Sequence, residues 1–366
     1  MRRPGFILLT IVFSVLSSVE MALAQKPAPS WKAEWEQVLR RGNAEGKVVI
    51  AGAPGGLYRQ AMQRFAQNYP GIQMEYNSIG GRDFAPKLFA ERRANLYLWD
   101  VHIGGAGTAI NVLKHAGVLE PLKPALILPE VLDDKVWFGG LPSAFLDAEG
   151  KLIFAFEAEI SPQVYVNRDF VPDAELNAIE QLTDQKWSTK ISWNDPRLDG
   201  AGNGRAAFWI AAKGEGFVRQ LLQQKSTITR DIRQQAEWLV RGTYPIAIGV
   251  GETDLLPFQK EGVGMNVLPL AMDTSAGGRL GSGFGTVMFL NRSPNPNAAK
   301  VFINWLLSAQ GQTAWREIAG RNSRRLDVKN DPKTAPKAGV KYFDVDHEER
   351  VHLRKVATQI ANEYIK

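Results

Sequence analysis

The chain has 366 residues, no cysteine, a formal charge of +6, and 45% hydrophobic against 22% charged residues. That length suffices for two ordinary domains, and the composition is globular rather than disordered. Disulfides, thiolate metal ligands and cysteine nucleophiles are excluded, and no lysine–arginine run exceeds two residues, so no nucleic-acid footprint is visible.

The first segment reads as an export signal. Arg2 and Arg3 precede an apolar stretch from Phe6 to Leu16, and Ala22-Leu23-Ala24 supplies a small-x-small cleavage pattern. The apolar stretch is short for a bilayer span. Residues 1–24 are therefore expected to be removed, leaving a mature periplasmic protein with a charge of about +5. A lipoprotein anchor would need a cysteine at the cleavage site.

Beyond the tail Gln25–Ser30, the spacing of Trp31, Trp35, Val38 and Leu39 predicts a helix over Trp31–Arg41. A strand follows at Lys47–Ala51, then a helix at Tyr58–Tyr69 stopped by Pro70-Gly71. The next elements are a strand at Ile72–Tyr76, a helix at Arg82–Ala94, a strand at Leu98–Val101 and a helix at Thr108–His115. This alternation predicts a mainly parallel sheet. Prolines 121, 124 and 129 interrupt it. Leu152–Phe156 and Gln163–Asn167 read as neighbouring strands, and a second alternating region follows. Met265–Leu270 and Thr286–Leu290 read as strands, and amphipathic helices close the chain around Ala298–Ala309 and Leu353–Tyr364.

Four glycine-rich turns stand between strands and helices: Ala51–Gly56, Gly104–Thr108, Gly200–Gly204 and Gly249–Gly251. Free N–H groups and the helix dipole at such turns favour a polar or anionic ligand. None continues as Gly-Lys-Ser/Thr, so a nucleotide P-loop is excluded. No Gly-x-Ser-x-Gly elbow occurs. His347 and His352 have the wrong spacing for a zinc helix, and Asp133-Asp134 and Glu348-Glu349 lie in polar stretches. Neither an enzyme nor a cofactor is expected.

In segment order the chain resembles a periplasmic solute-binding protein of an ABC transporter, in the branch that contains ferric-ion, aminoalkylphosphonate and thiamine binders. The resemblance lies in Lys47–Gly56, Gln163–Asp169, Trp187–Gly204 and Ala298–Gln312, and includes Trp193-Asn194-Asp195-Pro196-Arg197 and Asn297–Ser308. It implies an α/β, type II-like fold of two lobes with two hinge crossings. Lobe 1 would hold residues 45–155 and 275–366, lobe 2 residues 165–268, and the crossings would fall at about 156–167 and 269–285. Gly277, Gly278, Gly281, Gly283 and Gly285 suit a bending segment or a surface loop. The ligand would sit between the lobes, and the implied partners are an inner-membrane ABC permease and a small solute, with the protein a monomer.

The resemblance places first-lobe ligand contacts at Gly55 and Gly56, at Ser78 to Arg82, and at Gly105, Gly107 and Thr108. In the second lobe it points to Gly202, Asn203 and Arg205, with Glu252 and Asp254. Arg82, Arg197 and Arg205 are arginines able to grip a carboxylate or phosphonate through paired hydrogen bonds. Glu252 and Asp254 can receive an amine or cap a short helix. His102 ends a strand beside this cleft. One departure stands out: ferric binders carry adjacent tyrosines after the strand corresponding to Pro245–Ile248, where this chain reads Gly249-Val250-Gly251-Glu252-Thr253-Asp254. A small anionic or zwitterionic organic solute is therefore the leading ligand class. The alternatives are ferric iron, a sensor that presents its ligand to a receptor, and a secreted hydrolase.

Overall fold

The computed structural model describes residues 30–366 except Gln163, Asp199, residues 271–277, Lys341, Lys366 and the side chain of Thr253. The proposed export signal and Gly277 lie outside the described residues. No helix among the described residues is long and apolar enough to cross a membrane.

Two sheets carry the fold, each with a parallel core closed by an antiparallel returning strand. In the first, Lys47–Gly52 pairs in parallel with Gln73–Ser78 and Val101–Gly104, and Thr286–Leu290 runs antiparallel to Val101–Gly104. Val48 and Ile50 pack on one face of this sheet and Val49 and Ala51 on the other, so both faces are buried. In the second, Ile191–Asn194 pairs in parallel with Thr227–Thr229 and Ile246–Ile248, and Val164–Asn167 runs antiparallel beside Ile246–Ile248. Val267–Pro269 covers the outer side of Val164–Asn167. Here too the faces alternate, with Val164 and Val166 in one cluster and Tyr165 in another.

Several boundaries differ from the sequence expectation. The third strand is Val101–Gly104, later than Leu98–Val101. Just before it, Asp100 still bonds through its backbone to Val49 O (3.0 Å) and Leu290 N (3.0 Å), while its carboxylate accepts from Val49 N (2.7 Å), Asn295 N (2.9 Å) and the Asn295 amide (3.0 Å). The helix after that turn opens at Ala106–Thr108 and continues as a π-helical stretch, Ala109–Lys114. Leu152–Phe156 and Gln163–Asn167 are not neighbours. Phe154–Ala155 pairs with Thr286–Leu290 in the first sheet, whereas Val164–Asn167 belongs to the second. The cause is a change of lobe between them.

That change of lobe occurs through a small third sheet. Glu159–Ile160 pairs antiparallel with Arg279–Gly281, which pairs in parallel with Phe343–Asp344. The chain thus passes between the lobes at three places, one more than the sequence suggested. The third passage changes the fate of the last helix, Glu348–Tyr364. It packs chiefly on Ala201–Lys213 and Glu215–Gln223, and Ala357, Ile360 and Ala361 join the second-lobe core. The expectation that all of 275–366 returns to lobe 1 therefore does not describe this helix. Only its first turn stays with lobe 1. Glu348 N donates to Leu146 O (2.8 Å), the Glu348 carboxylate pairs with Lys114 and accepts from Ala148 N (2.7 Å), and Val351 packs in the first-lobe core.

The helix Pro296–Leu307 does return to the first lobe, against Trp31–Glu45. Glu45 caps it from outside by accepting from Asn297 N (2.9 Å) and Ala298 N (2.7 Å). A carboxylate at a helix N-terminus is favoured by the dipole as well as by the hydrogen bonds.

Candidate functional site in the cleft between the lobes

A cavity of about 640 Å3 lies where the two lobes and the three-stranded connection meet. That is ordinary for a small-molecule site. Three helix starts face it. The helix Gly81–Arg93 has Gly80 as its N-cap, the helix that opens at Ala106 has Gly105, and the helix Ala201–Lys213 has Gly200; none of the three caps has a side-chain hydrogen bond to the helix. Two first-turn N–H groups are engaged within the protein, Asp83 N by Gly80 O (3.0 Å) and Gly202 N by Asn194 Oδ1 (3.3 Å), and an anion would meet those that remain. The first two starts fit closely together, because a Cβ on Gly81 would fall 2.7 Å from Thr108 Oγ1.

Charged side chains complete the lining. Arg82, Arg279, Arg321 and Arg354 face Asp83, Glu157, Glu159 and Asp346 across the cavity. These form two clusters. In the first, Glu157 Oε1 accepts from Arg321 Nε (3.2 Å) and Nη2 (3.0 Å), and Glu159 Oε2 lies 2.8 Å from Arg321 Nη2. Glu157 is fully buried, and its Oε2 has no hydrogen-bond partner. Burial pushes its pKa up to about 8 despite Arg321, with Glu159 adding to the rise. Glu159 is also raised by burial. In the second cluster, Asp346 Oδ1 accepts from Arg354 Nη2 (3.2 Å), while Oδ2 accepts from Ser282 N (3.0 Å) and Oγ (3.1 Å). Burial would raise Asp346, but Arg279, Arg354 and Ser282 hold it below the usual carboxylate range. Burial favours the neutral form of Glu157, which tips the balance of the lining toward its four arginines. The cavity then favours an anion.

The glycines of the second crossing serve close approach. A Cβ on Gly285 would fall 2.2 Å from Glu157 Cβ, and one on Gly283 would fall 2.1 Å from Glu157 Oε1. Between them Phe284 packs edge-on against Tyr58, which stacks on Trp315 at 5.1 Å.

The residues singled out from sequence separate into two groups. Arg82, Gly105, Gly107 and Thr108 line the cavity, with Gly80 and Gly81 beside them. Gly55, Gly56 and Ser78 are exposed and lie outside its lining, where Pro54 takes their place; Ser78 Oγ accepts from Arg59 (3.3 Å). Gly202 is buried against the Asn194 backbone, and Gly200 and Ala201 line the cavity instead. Asn203 is buried with its amide turned toward the last helix. Arg205 is buried as well, and donates to Ala201 O (3.2 Å), Pro162 O (3.4 Å) and Val250 O (3.4 Å). Burial lowers its pKa to about 9; it lies outside the cavity lining and holds three carbonyls together. Asp254 Oδ2 accepts from Gly251 N (2.8 Å) and caps the helix Glu252–Lys260, while Glu252 is exposed on its first turn. Arg197 forms a two-pronged pair with Asp195 (2.9 Å for each bond) away from the cavity. His102 lies inside its strand, fully buried and stacked on Phe84 at 4.5 Å. Its Nδ1 donates to Ala51 O (2.9 Å), and burial lowers it to about 4.

Glu157, Glu159, Arg279, Arg321, Asp346 and Arg354 escaped the sequence reading. One signal was present for Glu157: a lone carboxylate inside the apolar run Ile153–Ala158.

Two lobes around a charged cleft, with crossing strands between them, define a binding protein that closes on a solute. The bacterial extracellular solute-binding protein family matches residues 51–313. The chain belongs to that family, and it is the substrate-binding component of an ABC importer. Solved structures share the fold at low identity. The Trichodesmium IdiA (FutA) protein in complex with iron and citrate is 18% identical, with 87% of this chain and 99% of that one covered, at a TM-score of 0.68. AfuA from Actinobacillus pleuropneumoniae with exogenous fructose-6-phosphate bound is 22% identical over 87% and 98%, at 0.62. Iron-bound HitA from Pseudomonas aeruginosa is 17% identical over 87% and 99%, at 0.63. No curated protein matches the sequence.

Proposed function

We propose that this chain captures a small anionic organic solute, bearing a phosphoryl, phosphonate or carboxylate head, and delivers it to an inner-membrane ABC permease. The observation that carries this reading is the convergence of three glycine-capped helix starts and four arginines on one cavity. Glu157 and Glu159 are engaged by Arg321, and Asp346 by Arg354. An anion is thus better served than the ammonium end of a zwitterion. The protein acts in the periplasm as a monomer after removal of residues 1–24, binds no nucleic acid and does not turn its ligand over. Binding works by closure: a ligand touching both lobes favours the closed form by its difference in affinity for the two states.

Thermal unfolding with a panel of phosphate esters, phosphonates and carboxylates tests this. A ligand at about a hundred times its dissociation constant stabilises the folded chain by roughly 2.7 kcal/mol. Stabilisation by uncharged sugars alone would sink the reading.

Ferric iron has weaker support. Among the described residues no three His, Cys, Asp or Glu side chains are grouped to hold a metal ion. Neither Tyr58 nor Tyr165 is among the residues that line the cavity, and ferric iron favours phenolate or carboxylate oxygens. A visible charge-transfer band on adding ferric citrate would reverse that preference.

A further inference from the structure

The helix Gly81–Arg93 begins at the cleft and runs away from it for 13 residues, about 20 Å. At its far end lies a separate open pocket of about 450 Å3. Arg92 and Arg93 line it from the last turn of that helix, Tyr97 from the segment that follows, and Asn291 and Arg292 from the exit of the strand Thr286–Leu290. Three guanidinium groups thus share one small space, and no carboxylate is among the residues that line it. None of the three arginines forms an ion pair among the described residues.

The fold holds these like charges together. Arg92 is fixed by donating to Asn291 Oδ1 (2.6 Å), Asn291 O (3.0 Å) and Val118 O (3.5 Å). Arg292 has a left-handed backbone, φ 54°, which is uncommon outside glycine, and donates to the Tyr97 hydroxyl. The guanidinium carbons of Arg92 and Arg292 lie 5.6 and 5.1 Å from the centre of the same Tyr97 ring. Burial lowers the Arg92 pKa, and Arg292 adds to the fall. Capping of the helix does not account for the cluster, because Glu91 O and Arg92 O already accept from Leu96 N (2.9 Å) and Asn95 N (2.9 Å). Arg93 and Arg292 are exposed, so their remaining N–H groups are open to a partner from solution. Guanidinium groups grip phosphoryl oxygens through paired, charge-assisted hydrogen bonds. Three cations with no counter-charge suit a dianion better than a single carboxylate.

We infer that this far-end pocket is a second anion site, for a phosphoryl group held by Arg93 and Arg292 beside Tyr97, with Arg92 as the fixed charge behind them. It stands a helix length from the cleft and does not rest on the anion reading given there. A free phosphate and an anionic lipid headgroup present the same chemistry, and the two sources are separable by experiment.

The double variant Arg93→Ala, Arg292→Ala tests it; both side chains are exposed, and Arg92, which carries the bonds to neighbouring loops, is kept. Calorimetric titration with inorganic phosphate reads the free form. Co-sedimentation with phosphatidylglycerol vesicles, against phosphatidylcholine vesicles, reads the lipid form. In at least one arm the double variant binds about tenfold or more weakly than the native chain. Arg93→Ala alone shows a smaller loss of the same sign, and Arg82→Ala, at the cleft end of the helix, leaves that binding in place. The arm that responds identifies the source. If phosphate binding is lost in Arg82→Ala and kept in the double variant, it belongs to the cleft and the far-end site is overturned. If the double variant matches the native chain in both arms, the far-end site falls as well, while the cleft reading stands or falls on its own panel of ligands.

Discussion

The two lobes face the cleft with walls built on different plans. The first lobe offers loops: two glycine-capped helix starts, with Arg82 exposed beside one of them. The second lobe has the same kind of turns but spends them internally. Its Gly202 is pressed on the Asn194 carbonyl, its Arg205 ties three backbone oxygens together, and its Asp254 caps its own helix. Its contribution to the cavity comes through Gly200 and Ala201 and through the crossing and returning chain, with Arg279, Asp346 and Arg354. A strand–glycine–helix turn thus marks a place where a ligand can be met. Whether one is met depends on what the turn's own side chains must satisfy.

Substitutions at paired positions can break this contrast. The largest effect is expected at Arg205→Ala, which removes the guanidinium bonds to Val250 O, Pro162 O and Ala201 O and leaves a gap at a buried side chain, and should cost about 3 kcal/mol. Arg82→Ala should change stability by no more than about 0.5 kcal/mol yet lower anion affinity about tenfold through the lost charge-assisted bonds. Denaturant melts and calorimetry read the two effects separately; equal losses of stability would erase the contrast. Gly202→Ala should follow at about 2 kcal/mol, since its Cβ would fall 1.8 Å from Asn194 O. Unchanged melting would mean that the second-lobe turn yields easily.

A further change concerns the connection. The Glu157 carboxyl is raised from 4.5 to about 8 in the folded chain, so the folded state holds the extra proton. Its stabilising contribution is complete below about pH 4.5 and is lost as pH rises through about 8. Glu157→Gln should flatten the decline in stability across that window, measured by chemical unfolding at intervals of pH; an unaltered slope would place the titration elsewhere. The smallest effect is expected at Asp254→Ala, which removes a helix cap worth about 0.5–1 kcal/mol and leaves anion affinity unaltered. A marked loss of affinity would restore that turn to the binding wall.

The sequence made much of the fold legible because strand and helix periods are local. Val48 to Ala51 read as a buried strand, and both faces are indeed covered. Gly105 to Thr108 read as a helix start for the same reason, and it lines the cavity. The residues opposite them were hidden by distance along the chain. Asp346 and Arg354 sit in a charged stretch that looks solvated in isolation, and only the third crossing brings them to the cavity. Arg321 is comparable, because its partners Glu157 and Glu159 precede it by more than 160 residues. The exposed glycines at 55 and 56 are a contrasting case: their turn has the same pattern, yet of that turn the cavity touches only Pro54.

The last helix has a mechanical consequence. It spans 17 residues, a stiff rod of about 25 Å. It is riveted to one lobe along most of its length and to the other only by its first turn, through Glu348 and Val351. A rod fixed in that way cannot bend to absorb rotation between the lobes. In the closure proposed above, the displacement at this crossing falls on the first turn, by sliding Val351 or by parting Glu348 from Lys114 and Ala148. That joint would act as a detent on one of the three connections, at the outer end of the lever.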